Sequence, residues 1–101
     1  MELRPGLRLE STTCETQVVV VRAPAGGDID VRCGGEPMRE AGTDGPRLPI
    51  SQPGEATLIG KRYADDDLGL ELLCTRGGEG ALSVGETPLL VKGAKPLPSS
   101  D

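Results

Sequence analysis

Cysteine is the residue type in this chain with the widest range of chemistry, and the sequence has three of them: Cys14, Cys33 and Cys74. Thiolates bind iron or zinc, and two thiols that lie close together form a reversible disulfide. The 101 residues include no histidine, which excludes Ser–His and Cys–His nucleophile pairs and imidazole metal ligands. An odd number of cysteines also excludes a complete structural disulfide framework.

For Cys14 and Cys33 the residues leave three interpretations open. They are metal ligands, a reversible disulfide or redox pair, or two small buried hydrophobic residues that serve packing, since free cysteine is among the most buried residue types. Cys74 ends an apolar strand-like run at residues 70–74. That position predicts a core residue with an inert thiol, because apolar surroundings raise the pKa of a thiol.

Three other polar or glycine-rich features give weaker signals. The aspartates at 65–67 lack the spacing and the distal glutamate of a calcium loop, so they indicate a solvated acidic turn. The glycine-rich segment 77–80 precedes a strand-like run and not a helix, so it predicts a hairpin turn and no phosphate site. Glu36 and Glu86 occupy similar turns, and a general acid–base role for them has little support.

Strand-forming runs position these residues. Glycine and proline account for 15 and 9 residues, yet the apolar residues are clustered in strand-length runs, which favours a turn-rich all-β fold over disorder. The four valines at 18–21 predict a buried strand. No segment has sustained helical periodicity. Further strands are predicted at residues 29–31, 56–59, 70–74, 81–84 and 89–91.

The two halves of the chain share an order of elements. Residues 6–9 correspond to residues 60–63, and a strand, a glycine-rich hairpin and a second strand then follow in each half. Each half closes with a similar turn, at 35–38 and at 85–89. This order indicates a tandem repeat. The predicted boundaries are 1–38 for the first repeat, 39–55 for a linker, 56–91 for the second repeat and 92–101 for a flexible tail.

The first half resembles the small desulforedoxin-like, rubredoxin-related metal-binding domains, which read roughly G-x-x-Y-x-C-x-x-C-G-x-x-V, a glycine hairpin, then C-C-G-x-x-M. Within residues 6–38, Cys14 and Cys33 match two of the family's cysteines, and Ser11 and Gly34 stand in place of the other two. The resemblance implies an all-β fold of two tandem β-hairpin repeats packed as a pseudo-dimer. It also implies an incomplete metal site at Cys14 and Cys33.

The second half resembles the same family in its frame, across residues 60–89. Asp65, Leu68, Ser83 and Val84 stand at the cysteine positions, so this half retains no thiolate set. Leucine and valine there indicate apolar core in place of a metal, a replacement that is often neutral or stabilising. The expectation is therefore a degenerate metal site with no cofactor, and iron or zinc are the metals that Cys14 and Cys33 would bind if they bind one.

Composition limits the function further. A net charge of −5 and a single aromatic residue, Tyr63, disfavour nucleic-acid binding. No apolar run reaches membrane-spanning length, and a cytoplasmic location without membrane association is expected. Without a complete catalytic or metal set, the sequence predicts a non-enzymatic accessory module that acts through a protein partner. The alternative is a degenerate iron- or zinc-binding protein or a thiol redox protein that uses Cys14 and Cys33.

Overall fold

A computed structural model describes residues 2–24, 28–43 and 45–92, and within them the chain forms strands and no helix. The predicted all-β class is confirmed. None of the described residues belongs to a helix able to cross a membrane. The predicted tail lies, after Lys92, outside the described residues. The strands are β1 (Arg8–Glu10), β2 (Gln17–Arg22), β3 (Val31–Cys33), β4 (Glu36–Pro37), β5 (Arg39–Glu40), β6 (Arg62–Asp65), β7 (Leu70–Arg76), β8 (Leu82–Val84), β9 (Thr87–Pro88) and β10 (Leu90–Val91).

The strands form two antiparallel sheets. The larger has six strands in the order β10-β6-β7-β2-β1-β5, and the smaller has four in the order β4-β3-β8-β9. At the centre of each sheet, a strand of the first half pairs with a strand of the second: β2 with β7, and β3 with β8. Each sheet is therefore built from both halves of the chain.

The pairing register of the first half recurs in the second. Arg8 lies opposite Val19 in the β1–β2 pair, and Arg62 lies opposite Leu73 in the β6–β7 pair. Each half also adds a third strand in the same way: β5 pairs with β1, and β10 pairs with β6. The two halves thus supply the same series of paired strands.

The smaller sheet repeats in the same way and corrects one detail of the alignment. Arg32 lies opposite Pro37 in the β3–β4 pair, and Ser83 lies opposite Pro88 in the β8–β9 pair. Ser83 therefore corresponds to Arg32, so that Val84 is the counterpart of Cys33. The sequence alignment, which placed Ser83 at a cysteine position, was wrong by one residue because the crossing segments of the two halves differ in length.

The predicted hairpin across residues 77–80 is wrong. Strand β7 belongs to the larger sheet and β8 to the smaller one, so the glycine-rich segment crosses between sheets. Both edges of β7 are already paired, with β6 and with β2, which leaves no edge for a returning strand. The same holds in the first half, where β2 and β3 lie in different sheets. Local turn signals do not show which strand edges are free.

The core is formed by the inward-facing residues of both sheets. In β2, Val18 and Val20 are buried while Val19 and Val21 are half-buried, so the run of valines presents one face to the core. In β7, Leu70 and Leu72 are buried in the same cluster. Alternation of this kind is typical of strands with one buried face.

The segment predicted as a linker contributes to the fold. Its first two residues are β5, which pairs with β1, and no further strand occurs among its described residues. Further along the segment, two amides bond to the loop of Cys14 and to the turn that follows Cys33. The Leu48 amide donates to the Thr12 carbonyl oxygen at 2.7 Å, and the Ser51 amide donates to the Gly34 carbonyl oxygen at 2.9 Å.

Candidate functional site

Cys14 and Cys33 lie side by side. Cys14 is in the loop that joins β1 to β2, and Cys33 is the last residue of β3. Both are free thiols, and their sulfur atoms are 3.8 Å apart, within reach of an S–H···S hydrogen bond. Cys74 lies on β7, buried as predicted, with its sulfur 3.2 Å from the Arg76 carbonyl oxygen. The structure therefore brings together the two cysteines that the sequence selects.

The loop before Cys14 is shaped by Ser11. Its hydroxyl oxygen accepts hydrogen bonds from the amides of Thr13 and Cys14, at 3.0 and 3.2 Å. Serine commonly closes tight turns through such bonds. The Thr13 hydroxyl in turn donates to the Cys33 carbonyl oxygen at 3.1 Å, which ties this loop to the end of β3. These bonds place the two sulfurs against each other.

The sulfur of Cys14 is surrounded by polar groups. The hydroxyl oxygens of Thr16 and Ser11 lie 3.2 and 3.5 Å from it. From the other half of the chain, the Gly80 amide donates to the same sulfur at 3.3 Å. Gly80 is fixed in turn by Thr57, whose hydroxyl donates to the Gly80 carbonyl oxygen at 2.6 Å.

Gly78 and Gly80 approach the sulfurs too closely for a side chain at either position. A Cβ atom on Gly80 would lie 2.9 Å from Cys33 Sγ, and one on Gly78 would lie 3.0 Å from Cys14 Sγ. Neither glycine has a positive φ, so the requirement is for space. Sequence reasoning missed this role and the role of Thr16. The signal was the alternation of Gly78 and Gly80, which is typical of close backbone approach.

Hydrogen bonding and burial give the two thiols different pKa values. Burial would raise the pKa of Cys14, but its hydrogen bonds with Ser11, Thr16 and the Gly80 amide lower it to about 6. Burial raises the pKa of Cys33 to about 11, and the neighbouring Cys14 sulfur adds to the rise. The thiolate form is therefore favoured at Cys14, where it accepts a hydrogen bond from the Cys33 thiol. Burial also raises the pKa of Cys74.

The separation of the two sulfurs would also suit a metal ion. Two bonds of about 2.3 Å to zinc give a tetrahedral edge of about 3.8 Å between the two sulfurs. Whether the site can hold a metal ion therefore depends on its other two ligand positions. One holds the Ser11 hydroxyl, and Gly34 at the other has no side chain. Among the described residues, no group of three or more Cys, His, Asp or Glu side chains is placed to hold a metal ion. The residues do not fit the four-thiolate centre that the family resemblance implies.

The corresponding loop of the second half is closed by an equivalent hydrogen bond, but it carries different side chains. Asp65 Oδ1 accepts from the Leu68 amide at 3.3 Å, as Ser11 accepts from the Cys14 amide. Leu68 and Val84 pack against the core. Ser83 donates to the Gly85 carbonyl oxygen at 3.2 Å. This loop is a hydrogen-bonded acidic turn over apolar packing.

The two glutamates of the closing turns do not meet. Glu36 lies on β4, and Glu86 lies in the turn that precedes β9. These strands are opposite edges of the four-stranded sheet, so the sheet order gives no convergent acid pair at these positions.

An apolar groove of about 470 Å³ lies between the end of the linker and β9–β10. Tyr63 and Leu89 line it as buried residues, while Leu58 and Leu90 line it with much of their surface exposed. The Tyr63 hydroxyl accepts a hydrogen bond from the Leu58 amide at 2.9 Å, which fixes that wall. The charged residues along the groove are Glu55 and Glu86.

Comparison with protein-family models, curated proteins and solved structures finds no match to this chain. Its function is therefore inferred from its own residues.

Proposed function

We propose that this protein is a thiol–disulfide redox protein in which Cys14 and Cys33 alternate between a dithiol and a disulfide. The supporting observation is the 3.8 Å separation of the two sulfur atoms. A disulfide bond is about 2.0 Å long, so the sulfurs need to approach by only about 2 Å. Cys33 is paired with β4 and β8, whereas Cys14 lies in a loop outside the sheets, so the loop of Cys14 is the part that would move.

The two sulfurs have different roles in this reaction. Cys14 is the nucleophile, because the Thr16 hydroxyl and the Gly80 amide can donate to its sulfur, its pKa is lowered, and the thiolate is the reactive form. Cys33 is the resolving thiol, which attacks the oxidised Cys14 sulfur. Closing the disulfide removes two electrons and two protons from the pair, and an oxidant of the peroxide or disulfide class accepts them. A dithiol reductant reverses the step.

The test is to titrate the purified chain with an oxidant and locate the disulfide by mass spectrometry of its peptides. A Cys14–Cys33 bridge that dithiothreitol reduces again is the expected result. The Cys74→Ser variant is the matched control, since it removes the third thiol and leaves the pair intact. If Cys14 and Cys33 stay reduced under both hydrogen peroxide and diamide while the chain remains folded, the redox proposal is wrong.

We also propose that the chain is a tandem repeat whose halves pack about a pseudo-two-fold axis, with a desulforedoxin-like origin. The recurrence of strand pairing and register in the two halves supports the repeat. The loss of the family's remaining cysteines supports a change from metal binding to thiol chemistry. A cytoplasmic location, where thiols are kept reduced, suits a pair that must be reset after oxidation.

A second candidate function is protein interaction through the apolar groove. Exposed Leu58 and Leu90 beside Glu55 and Glu86 favour one occupant, an extended peptide with apolar and basic residues. A synthetic peptide of alternating leucine and lysine is the probe, with the leucine–glutamate peptide as its control. Saturable binding of the basic peptide alone, lost in Leu90→Asp, is expected. Equal binding of both peptides, or no binding, counts against this function.

A further inference from the structure

The space around Cys14 restricts which oxidant the pair accepts, given the proposed redox function. Cys33 is fully buried and Cys14 is 8 % exposed. On the side of the second half, a single added carbon on Gly78 or Gly80 would already lie within 3.0 Å of a sulfur atom. On this side, a large oxidant such as glutathione disulfide has no room beside the thiolate in the folded protein.

Thiol–disulfide exchange with a bulky disulfide needs more space beside the reduced pair than this site provides. The attacking sulfur must meet a disulfide sulfur and form a mixed disulfide, which places the whole leaving molecule next to Cys14. Ser11, Thr16 and the Gly80 amide surround the Cys14 sulfur at 3.5 Å or less. A glutathione or protein disulfide would have to displace these groups over a large area, whereas a small peroxide would displace far less.

The same groups suit an oxygen-centred oxidant. The hydroxyls of Ser11 and Thr16 both donate and accept hydrogen bonds, and the Gly80 amide donates. A peroxide oxygen also donates and accepts hydrogen bonds, so it can bond to these groups beside the sulfur. A disulfide does not need such partners. Donors at this position also stabilise the negative charge that develops on the departing oxygen.

We propose that the oxidant of the Cys14–Cys33 pair is a small hydroperoxide, with hydrogen peroxide as the smallest member of the class. The Cys14 thiolate attacks one peroxide oxygen and the O–O bond breaks. This gives a sulfenic acid on Cys14 and a hydroxide ion, which takes a proton to become water. The Cys33 thiol then attacks the Cys14 sulfur, the S–O bond breaks, and the products are the disulfide and a second water molecule. The two thiols lose two electrons, and the peroxide gains two.

The test compares hydrogen peroxide with glutathione disulfide on the Cys74→Ser chain, each reacting with native and with urea-unfolded protein. For each oxidant, the rate constant of native protein is divided by that of unfolded protein. The ratio for peroxide is then divided by the ratio for glutathione disulfide. Both oxidants react with the thiolate, so the difference in thiolate fraction cancels and the double ratio measures access.

A double ratio above about ten supports the peroxide proposal, and one at or below about ten overturns it. The two proposals fail differently. If both oxidants form the Cys14–Cys33 disulfide with a double ratio near one, only the peroxide inference is wrong. If neither forms the disulfide in native protein, the redox function itself is wrong.

A second variant follows the first chemical step. In Cys33→Ser/Cys74→Ser protein the resolving thiol is absent, so peroxide should stop at the Cys14 sulfenic acid, which dimedone traps as a covalent adduct once urea unfolds the oxidised protein. The parent Cys74→Ser chain should give the disulfide and little adduct. Equal adduct yields from the two chains would show that Cys33 does not resolve Cys14, and would overturn the mechanism.

Discussion

The Gly80 amide donates a hydrogen bond to Cys14 Sγ over 3.3 Å, between residues that are 66 positions apart in the chain. A sulfur of the first half is thus held by the backbone of the second half. The surroundings of Cys14 therefore depend on the packing of the two halves.

Gly80→Ala should destabilise the protein and disturb the pair. The added Cβ would lie 2.9 Å from both Cys33 Sγ and the Gly34 amide nitrogen. Overpacking of this kind typically costs about 1–3 kcal/mol of the free energy of unfolding, measured by urea denaturation. Gly45→Ala is the matched control, since its new Cβ would meet the flexible end of the Arg39 side chain. Equal losses in the two variants would contradict the close approach at Gly80.

The alkylation rate of Cys14 should depend on pH with a midpoint near 6. Burial raises the pKa of Cys14, but its hydrogen bonds outweigh burial and lower the value from 9.0 to about 6. The rate with iodoacetamide should therefore be constant above this midpoint and fall about tenfold per pH unit below it, because only the thiolate reacts. Mass spectrometry of the Cys14 peptide in Cys74→Ser protein gives the rate.

Thr16→Val tests the cause of that midpoint. It removes the hydroxyl 3.2 Å from Cys14 Sγ and keeps the shape of the side chain, so the midpoint should rise. Thr16→Ser keeps the hydroxyl and should keep the midpoint near its original position. Wild-type and Thr16→Val profiles that coincide would show that the hydroxyl does not stabilise the thiolate.

Glu71 should contribute stability that depends on pH. Its buried carboxylate accepts from Lys92 at 2.8 Å and from Arg62 at 3.2 Å. The hydrogen bond from Lys92 is the main cause of its lowered pKa. Because the pKa is lower in the folded state, the contribution is present above the unfolded-state pKa and is lost as pH falls through the folded-state pKa.

Glu71→Gln should lower the free energy of unfolding by about 1 kcal/mol at pH 7 and by less in acid, measured by urea denaturation. The exposed pair of Glu15 and Arg76, 2.8 Å apart, provides the control. Glu15→Gln should change stability very little, since exposed ion pairs contribute little. A loss in Glu71→Gln that is independent of pH would contradict the role of its charge.

Metal content should distinguish thiol chemistry from a residual metal site. With hydroxyl and glycine at two ligand positions, we expect less than about 0.1 equivalent of iron or zinc after purification without chelator. Elemental analysis of wild-type and Cys14→Ser/Cys33→Ser protein measures this. Near-stoichiometric metal in the wild type, lost in the double variant, would restore the metal-binding alternative.

Some of this architecture could be predicted from sequence and some could not. The all-β class follows from strand-length apolar runs, and a shared site of Cys14 and Cys33 is what the family resemblance implies. The order of the sheets could not be predicted, because the glycines at 77–80 suit a hairpin turn and a crossing between sheets equally well. The role of Gly80 depends on a contact that exists only after the halves pack, and the role of Thr16 depends on the loop conformation that brings its hydroxyl to the Cys14 sulfur.

The central strand pairs, β2 with β7 and β3 with β8, have a consequence for association between chains. The surface that each half presents to the other is equally available to the matching half of a second molecule. Refolding at high protein concentration should therefore yield a domain-swapped dimer alongside the monomer, separable by size-exclusion chromatography. In that dimer, Gly80 of one polypeptide would hold the Cys14 sulfur of another, so thiol reactivity would be preserved across the exchange.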